Sequence, residues 1–188
     1  MENILNTFYE RIFERKLSHD EEAFIKESFR HESFIKKQLI FSSGDSNTRH
    51  YIVEKGLLRL YIIDPSGKEF NILFAKENQV IGDLTTPLPT SFFLEAIEDT
   101  NVFSIDDEQF RRLTGNFSKI PETLKRSYIF LQKRFISILS KTAEENYEEL
   151  ISEYPDLVQR LPQYQIASYL GVTPVFLSQI MAKRARKK

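Results

Sequence analysis

The residues whose types and spacing suggest chemistry lie between Gln163 and Arg184. Gln179 can bond an adenine edge with both atoms of its amide, and Ser178 can bond several bases. Val175 and Phe176 can touch thymine methyls. Lys183 and Arg184 open a run, 183–188, with five positive charges and no negative ones, suited to phosphates. The chemistry they suggest is recognition of duplex DNA, not bond breaking. An enzyme lacks its groups: the chain has no Cys, and His19, His31 and His50 are scattered with no pair at ligand spacing. No enzyme activity, metal or cofactor is expected.

Reading a groove needs a rigid helix, and Leu161–Met181 has the pattern of a helix-turn-helix. Pro162 suits the first turn of a helix, where a missing N–H costs nothing. Ile166, Ala167 and Leu170 recur at helical spacing, and Ala167 is small enough for a close crossing. Gly171 marks the turn, and Thr173-Pro174 is an N-cap followed by proline at the first helical position. Leu177 and Ile180, three apart, face inward. The candidate DNA-contacting set is Gln163, Thr173, Val175, Phe176, Ser178, Gln179, Lys183 and Arg184. An ordinary helical hairpin with a solvated basic tail is the alternative.

The whole chain, 188 residues and 41% hydrophobic, can bury a sizeable core. Its net charge of −1 hides an asymmetry, because residues 1–182 carry −6. An acidic body with a basic end repels nucleic acid everywhere but at that end. No apolar run is long enough to span a membrane, and the first residues lack the pattern of a signal peptide. A soluble cytoplasmic protein is expected, with no membrane partner.

Residues 1–31 read as helical. Ile4, Phe8, Ile12 and Phe13 share a face, and Ser18 opens a second helix with Glu21 completing a capping box. Ala23, Phe24 and Phe29 are its expected buried side. From 34 to 110 the pattern changes to short apolar runs: Leu39–Phe41, Tyr51–Val53, Leu57–Ile63, Phe70–Phe74, Val80–Ile81, Phe92–Ala96 and Val102–Ile105. Turn signals separate them, and Asp64-Pro-Ser-Gly67 should close a hairpin. This predicts an antiparallel sandwich or barrel. A short helix over 107–117 should stop near Gly115, followed by a long helix from about Pro121 to Tyr154. Leu124, Tyr128, Leu131, Phe135 and Ile138 form a heptad seam. Ile129, Ile136 and Leu139 widen it, which suits a homodimer as well as packing on the chain's own domain; a broad single face is the other reading.

In this order the chain resembles the Crp/Fnr family of bacterial transcription regulators. The carrying residues are Phe41-Ser-Ser-Gly44-Asp45, Tyr51–Tyr61, Gly67-Lys-Glu69, Val80-Ile-Gly82-Asp83 and Ile166-Ala-Ser-Tyr-Leu-Gly171. The resemblance implies an α+β fold: a cyclic-nucleotide-binding-like antiparallel β-roll with flanking helices (1–118), a long dimerisation helix (119–154) and a C-terminal helix-turn-helix (155–188). It implies a dimeric regulator of a near-palindromic DNA site, with the roll as sensor of a small molecule. The effector pocket would involve Gly82, Asp83, Leu84, Ser91, Phe92 and Phe93.

Two departures stand out. The family's phosphate-neutralising arginine has no counterpart, since no Lys or Arg lies between Lys76 and Arg111. An anionic phosphate buried there would be penalised, so cyclic AMP is not the expected effector. The family's base-reading Glu and Arg are replaced by Val175 and Gln179. The β-hairpin wing of many members is also missing, which suggests a short wingless form. A sensor or scaffold dimer that no longer reads DNA is the alternative function.

Overall fold

The computed structural model describes residues 5–6, 9–10, 15–46, 49–83, 89–116 and 120–186. The expectations for Ile4, Phe8, Ile12, Phe13 and Leu84 fall outside these residues, as does the side chain of Leu124.

Ser18 caps α1 (His19–Ser28), and the Ser18/Glu21 capping box forms on both sides. The helix is shorter than the pattern suggested. It stops at Phe29, and β1 (Arg30–Phe34) begins at once by pairing with the edge of a sheet. Ala23 is exposed, and Ile25 and Ser28 are buried with Phe29 instead.

Seven further strands follow: β2 (Leu39–Phe41), β3 (Arg49–Lys55), β4 (Leu58–Ile63), β5 (Glu69–Ala75), β6 (Val80–Gly82), β7 (Phe93–Ala96) and β8 (Thr100–Asp106). They form two four-stranded sheets, ordered β1-β8-β3-β6 and β2-β7-β4-β5. Alternation decides what each strand buries. Tyr51, Val53, Ile81 and Val102 of the first sheet share a core with Phe41, Leu58, Leu60, Ala75, Leu94 and Ala96 of the second. Ile52, Phe103 and Ile105 point the other way and pack with Leu5, Tyr9, Leu17, Ile25 and Phe29. Gly56, at φ +110°, has no room for a side chain: a Cβ there would lie 2.8 Å from the Asp99 carbonyl oxygen.

The helices after the roll are α2 (Asp107–Asn116), α3 (Ile120–Ser140), α4 (Ala143–Glu153), α5 (Pro155–Arg160), α6 (Gln163–Leu170) and α7 (Pro174–Ala185). The expected single helix to Tyr154 is thus two. Thr142 caps α4, with Glu145 returning the bond to its backbone N–H. This capping box starts a new helix where the apolar periodicity alone would have continued the old one. The Ser137 hydroxyl lies 2.6 Å from Asn146 Oδ1 and 3.0 Å from Glu149 Oε2 and bridges them at the elbow. Pro155, expected as a terminator, opens α5 at its first position.

Two compact units result. One contains the chain up to Leu60 and Leu73–Ser127; the other contains Tyr61–Ile72 and Tyr128–Lys188. The tip of the β4–β5 hairpin therefore groups with the C-terminal helices. Asp64 shapes that tip: its Oδ1 accepts from the backbone N–H groups of Ser66 and Lys68.

Candidate nucleic-acid interface

Helices α6 and α7 form as their caps dictate. Pro162 sits at the N-cap of α6, one position earlier than the sequence suggested. Gly171 closes α6 in the left-handed region at φ 71°, which glycine adopts without strain. Thr173 Oγ1 accepts from the Phe176 N–H at 3.2 Å, and Pro174 follows at the first helical position. Ile166, Ala167, Leu177 and Ile180 are buried between the helices. Val175, Phe176, Ser178 and Gln179 are exposed along the opposite side of α7, and Gln163 and Thr173 are exposed at the two helix starts. The row expected to meet base edges is therefore on one outward surface.

Helix α6 is held from two directions that spacing along the chain could not show. Asn71 of β5 donates from its side-chain amide to the Gln165 side-chain oxygen at 2.5 Å and to the Gln165 carbonyl at 3.1 Å. The Asn71 backbone N–H donates to Ser168 Oγ at 3.0 Å, and Ser168 donates on to the Glu69 carbonyl at 2.7 Å. Asn71 and Gln165 are both buried. From α3, Arg134 donates to the Tyr169 carbonyl at 2.7 Å and stacks 3.4 Å above the Tyr169 ring. It thereby satisfies a carbonyl of the last helical turn. Burial raises the Tyr169 phenol above its usual range. The only local hint of the hairpin contact is a polar residue, Asn71, inside the apolar run Phe70–Phe74.

The candidate phosphate cations are placed differently from the reading row. Lys183 bonds Glu144 at 2.7 and 2.9 Å, and Arg184 Nε bonds Glu148 at 2.8 and 3.0 Å. Both acceptors lie on α4. Lys183 and Arg184 are thus already engaged by carboxylates of the same unit.

In the roll, Gly82 lies close to His50: a Cβ would stand 3.1 Å from His50 Nδ1. Asp83 is buried and accepts from the Thr90 hydroxyl at 2.5 Å. Thr90 is itself tied to the Gly44 N–H and the Asp45 carbonyl. Ser91 is exposed, and Phe92 and Phe93 are half-buried, Phe92 against the sandwich core. Arg59, a buried cation of β4, bonds Glu95 at 2.8 Å. A carboxylate bonded by a neighbouring threonine and an arginine bonded by a glutamate are poor receivers for a cyclic phosphate.

On α3 the apolar seam is uncovered. Tyr128, Leu131, Phe135 and Ile138 are all exposed, Phe135 by 63%, and Ile129, Phe130, Ile136 and Leu139 extend the strip. No described helix is long and apolar enough to cross a membrane.

Comparison with known proteins agrees with this anatomy. The family described as cyclic nucleotide-binding domain matches residues 31–116. The anaerobic regulatory protein of Haemophilus influenzae is 26% identical over 166 residues, covering 79% of this chain and 64% of that protein. The regulatory protein HlyX of Actinobacillus pleuropneumoniae is also 26% identical, with 79% and 68% covered. Against the first of these relatives, then, the chain spans less than two thirds of the length. Among solved structures, FixK2 from Bradyrhizobium japonicum shares the fold with a TM-score of 0.73 at 19% identity, covering 85% of each chain. A CooA mutant from Carboxydothermus hydrogenoformans gives 0.72 at 20% identity, with 90% and 82% covered. Residues 31–116 thus match a cyclic nucleotide-binding domain, and the chain is similar in sequence to these regulatory proteins and in fold to FixK2 and CooA.

Proposed function

We propose that this protein is a DNA-binding transcription regulator that works as a homodimer in the bacterial cytoplasm and does not respond to cyclic AMP. The observation that supports it most is the exposed row Val175, Phe176, Ser178 and Gln179 on a helix whose opposite side buries Leu177 and Ile180. A helix held this firmly can enter a major groove without first being ordered. In this reading residues 1–118 are the sensor, 119–154 join two copies, and 155–188 read DNA. Any effector bound near Gly82, Asp83, Leu84, Ser91, Phe92 and Phe93 is less charged than a cyclic nucleotide, since no Lys or Arg lies between Lys76 and Arg111.

The test is recovery of genomic fragments on the purified protein, followed by titration of an enriched fragment against random duplex. Enrichment of a near-palindromic site supports the reading. Gln179→Ala should then keep the fold and relax one base position by about 1–3 kcal/mol. One feature favours the second reading, a scaffold dimer without base reading: Val175 and Phe176, the apolar half of the row, are 70% and 45% exposed. No preference over random DNA at low salt would favour it.

A further inference from the structure

Resting on that reading, we propose that Glu144 and Glu148 are an internal stand-in for DNA phosphates. They occupy Lys183 and Arg184 in the free protein and so weaken the backbone contact and flatten its salt dependence. The two carboxylates are four residues apart on α4 and therefore face the same way. Each takes one of two adjacent cations at the end of α7, with both carboxylate oxygens engaged on each side. A Thr142/Glu145 capping box opens α4 and Tyr147 and Leu150 are buried on it, so the acidic pair is presented on a fixed scaffold.

The strength of the pairs suits an exchangeable contact. The side chains of Lys183 and Glu144 are 57% and 41% exposed, and those of Arg184 and Glu148 30% and 53%. Pairs this open to water are weak, and a phosphate backbone can displace them. Burial would have locked them.

Displacement has a signature. A cation that moves from water onto DNA releases a condensed counterion, so each contact steepens the dependence of log K on log salt by about 0.9. A cation that moves from a glutamate onto DNA leaves that glutamate bare, and the glutamate recruits a cation from solution. Net release is then close to zero. Lys183 and Arg184 should therefore contribute little to the salt slope while Glu144 and Glu148 are present.

The full-length chain carrying Glu144→Gln and Glu148→Gln tests this, titrated with random-sequence duplex DNA over a range of salt. The expected result is binding about tenfold tighter at low salt and a slope steeper by about two. Lys183→Ala with Arg184→Ala should change little in the wild type and much in the glutamine background. A control, Glu27→Gln with Glu108→Gln, makes the same change in net charge at exposed positions in the other unit and should leave the slope alone. Equal slopes for wild type and the α4 variant overturn the proposal. So does a control that matches the α4 variant, or the absence of DNA binding by both proteins. If the slope steepens while no genomic site is preferred, the stand-in survives and the regulatory reading fails. A clear site preference with an unmoved slope is the reverse.

Discussion

The Asn71 amide meets Gln165 twice, at its side-chain oxygen and at its backbone carbonyl, across 94 residues of sequence. Through this pair the hairpin that continues β4 and β5 grips the first helix of the helix-turn-helix. Its loss leaves buried polar groups of Gln165 short of a partner, which costs about 1–3 kcal/mol. Asn71→Ala should lower the melting temperature and speed amide exchange in α6 while leaving β3 and β8 as protected as before. Unchanged exchange in α6 would count against a holding role.

The small core under α7 is equally exacting. Leu177 is fully buried. Leu177→Ala should destabilise by about 2–5 kcal/mol through lost burial and a cavity. Leu177→Asp should abolish the helical signal of the C-terminal helices in circular dichroism, because an unpaired charge cannot be held there. Ser178→Ala, one position on but exposed, should leave melting unchanged.

Tyr128, Leu131, Phe135 and Ile138 form an exposed apolar strip along α3, the kind of surface that marks an interaction site. Light scattering on the wild type should give a mass of two chains. With Leu131→Asp and Phe135→Asp, like charges would meet across the seam and the mass should fall to one chain. A wild-type mass of one chain rules the seam out as a dimer contact.

Cyclic AMP should produce no heat in calorimetry at micromolar protein. Asp83 is held by Thr90, Arg59 is bonded to Glu95, and no Lys or Arg lies between Lys76 and Arg111. Saturable micromolar binding would show that these partners yield to a phosphate.

Acid should weaken the roll through His50. Burial holds its imidazole below the ordinary histidine range, with a partial offset from Asp107 at 3.4 Å and from Asp83. The unfolded chain therefore takes up the proton first as pH falls through about 6.5. The stability from a neutral His50 is complete above that pH and is lost as pH drops toward the lower folded value. Melting temperature should fall between neutral pH and the weakly acidic range, and His50→Gln should flatten that fall. A variant as acid-sensitive as the wild type would assign the effect to other groups.

The local grammar of this protein was legible in its residues. Gly171, Thr173-Pro174 and the three-residue spacing of Leu177 and Ile180 predicted α6, its turn and α7, because caps and turns depend on a few neighbouring dihedrals and donors. Asp64-Pro-Ser-Gly67 marked the hairpin for the same reason, and Ser18 with Glu21 marked the start of α1. Where two local signals competed, the expectation of one helix from Pro121 to Tyr154 misled: α3 ends at Ser140, and the Thr142–Glu145 box starts α4. Arg30–Phe34 became a strand because β8 offered it a sheet edge, which no window of sequence contains. The pairing of Lys183 with Glu144, of Arg184 with Glu148 and of Asn71 with Gln165 was decided only by the tertiary fold. Such contacts join groups tens of residues apart, so their existence depends on where the backbone carries each partner and not on the residue types alone.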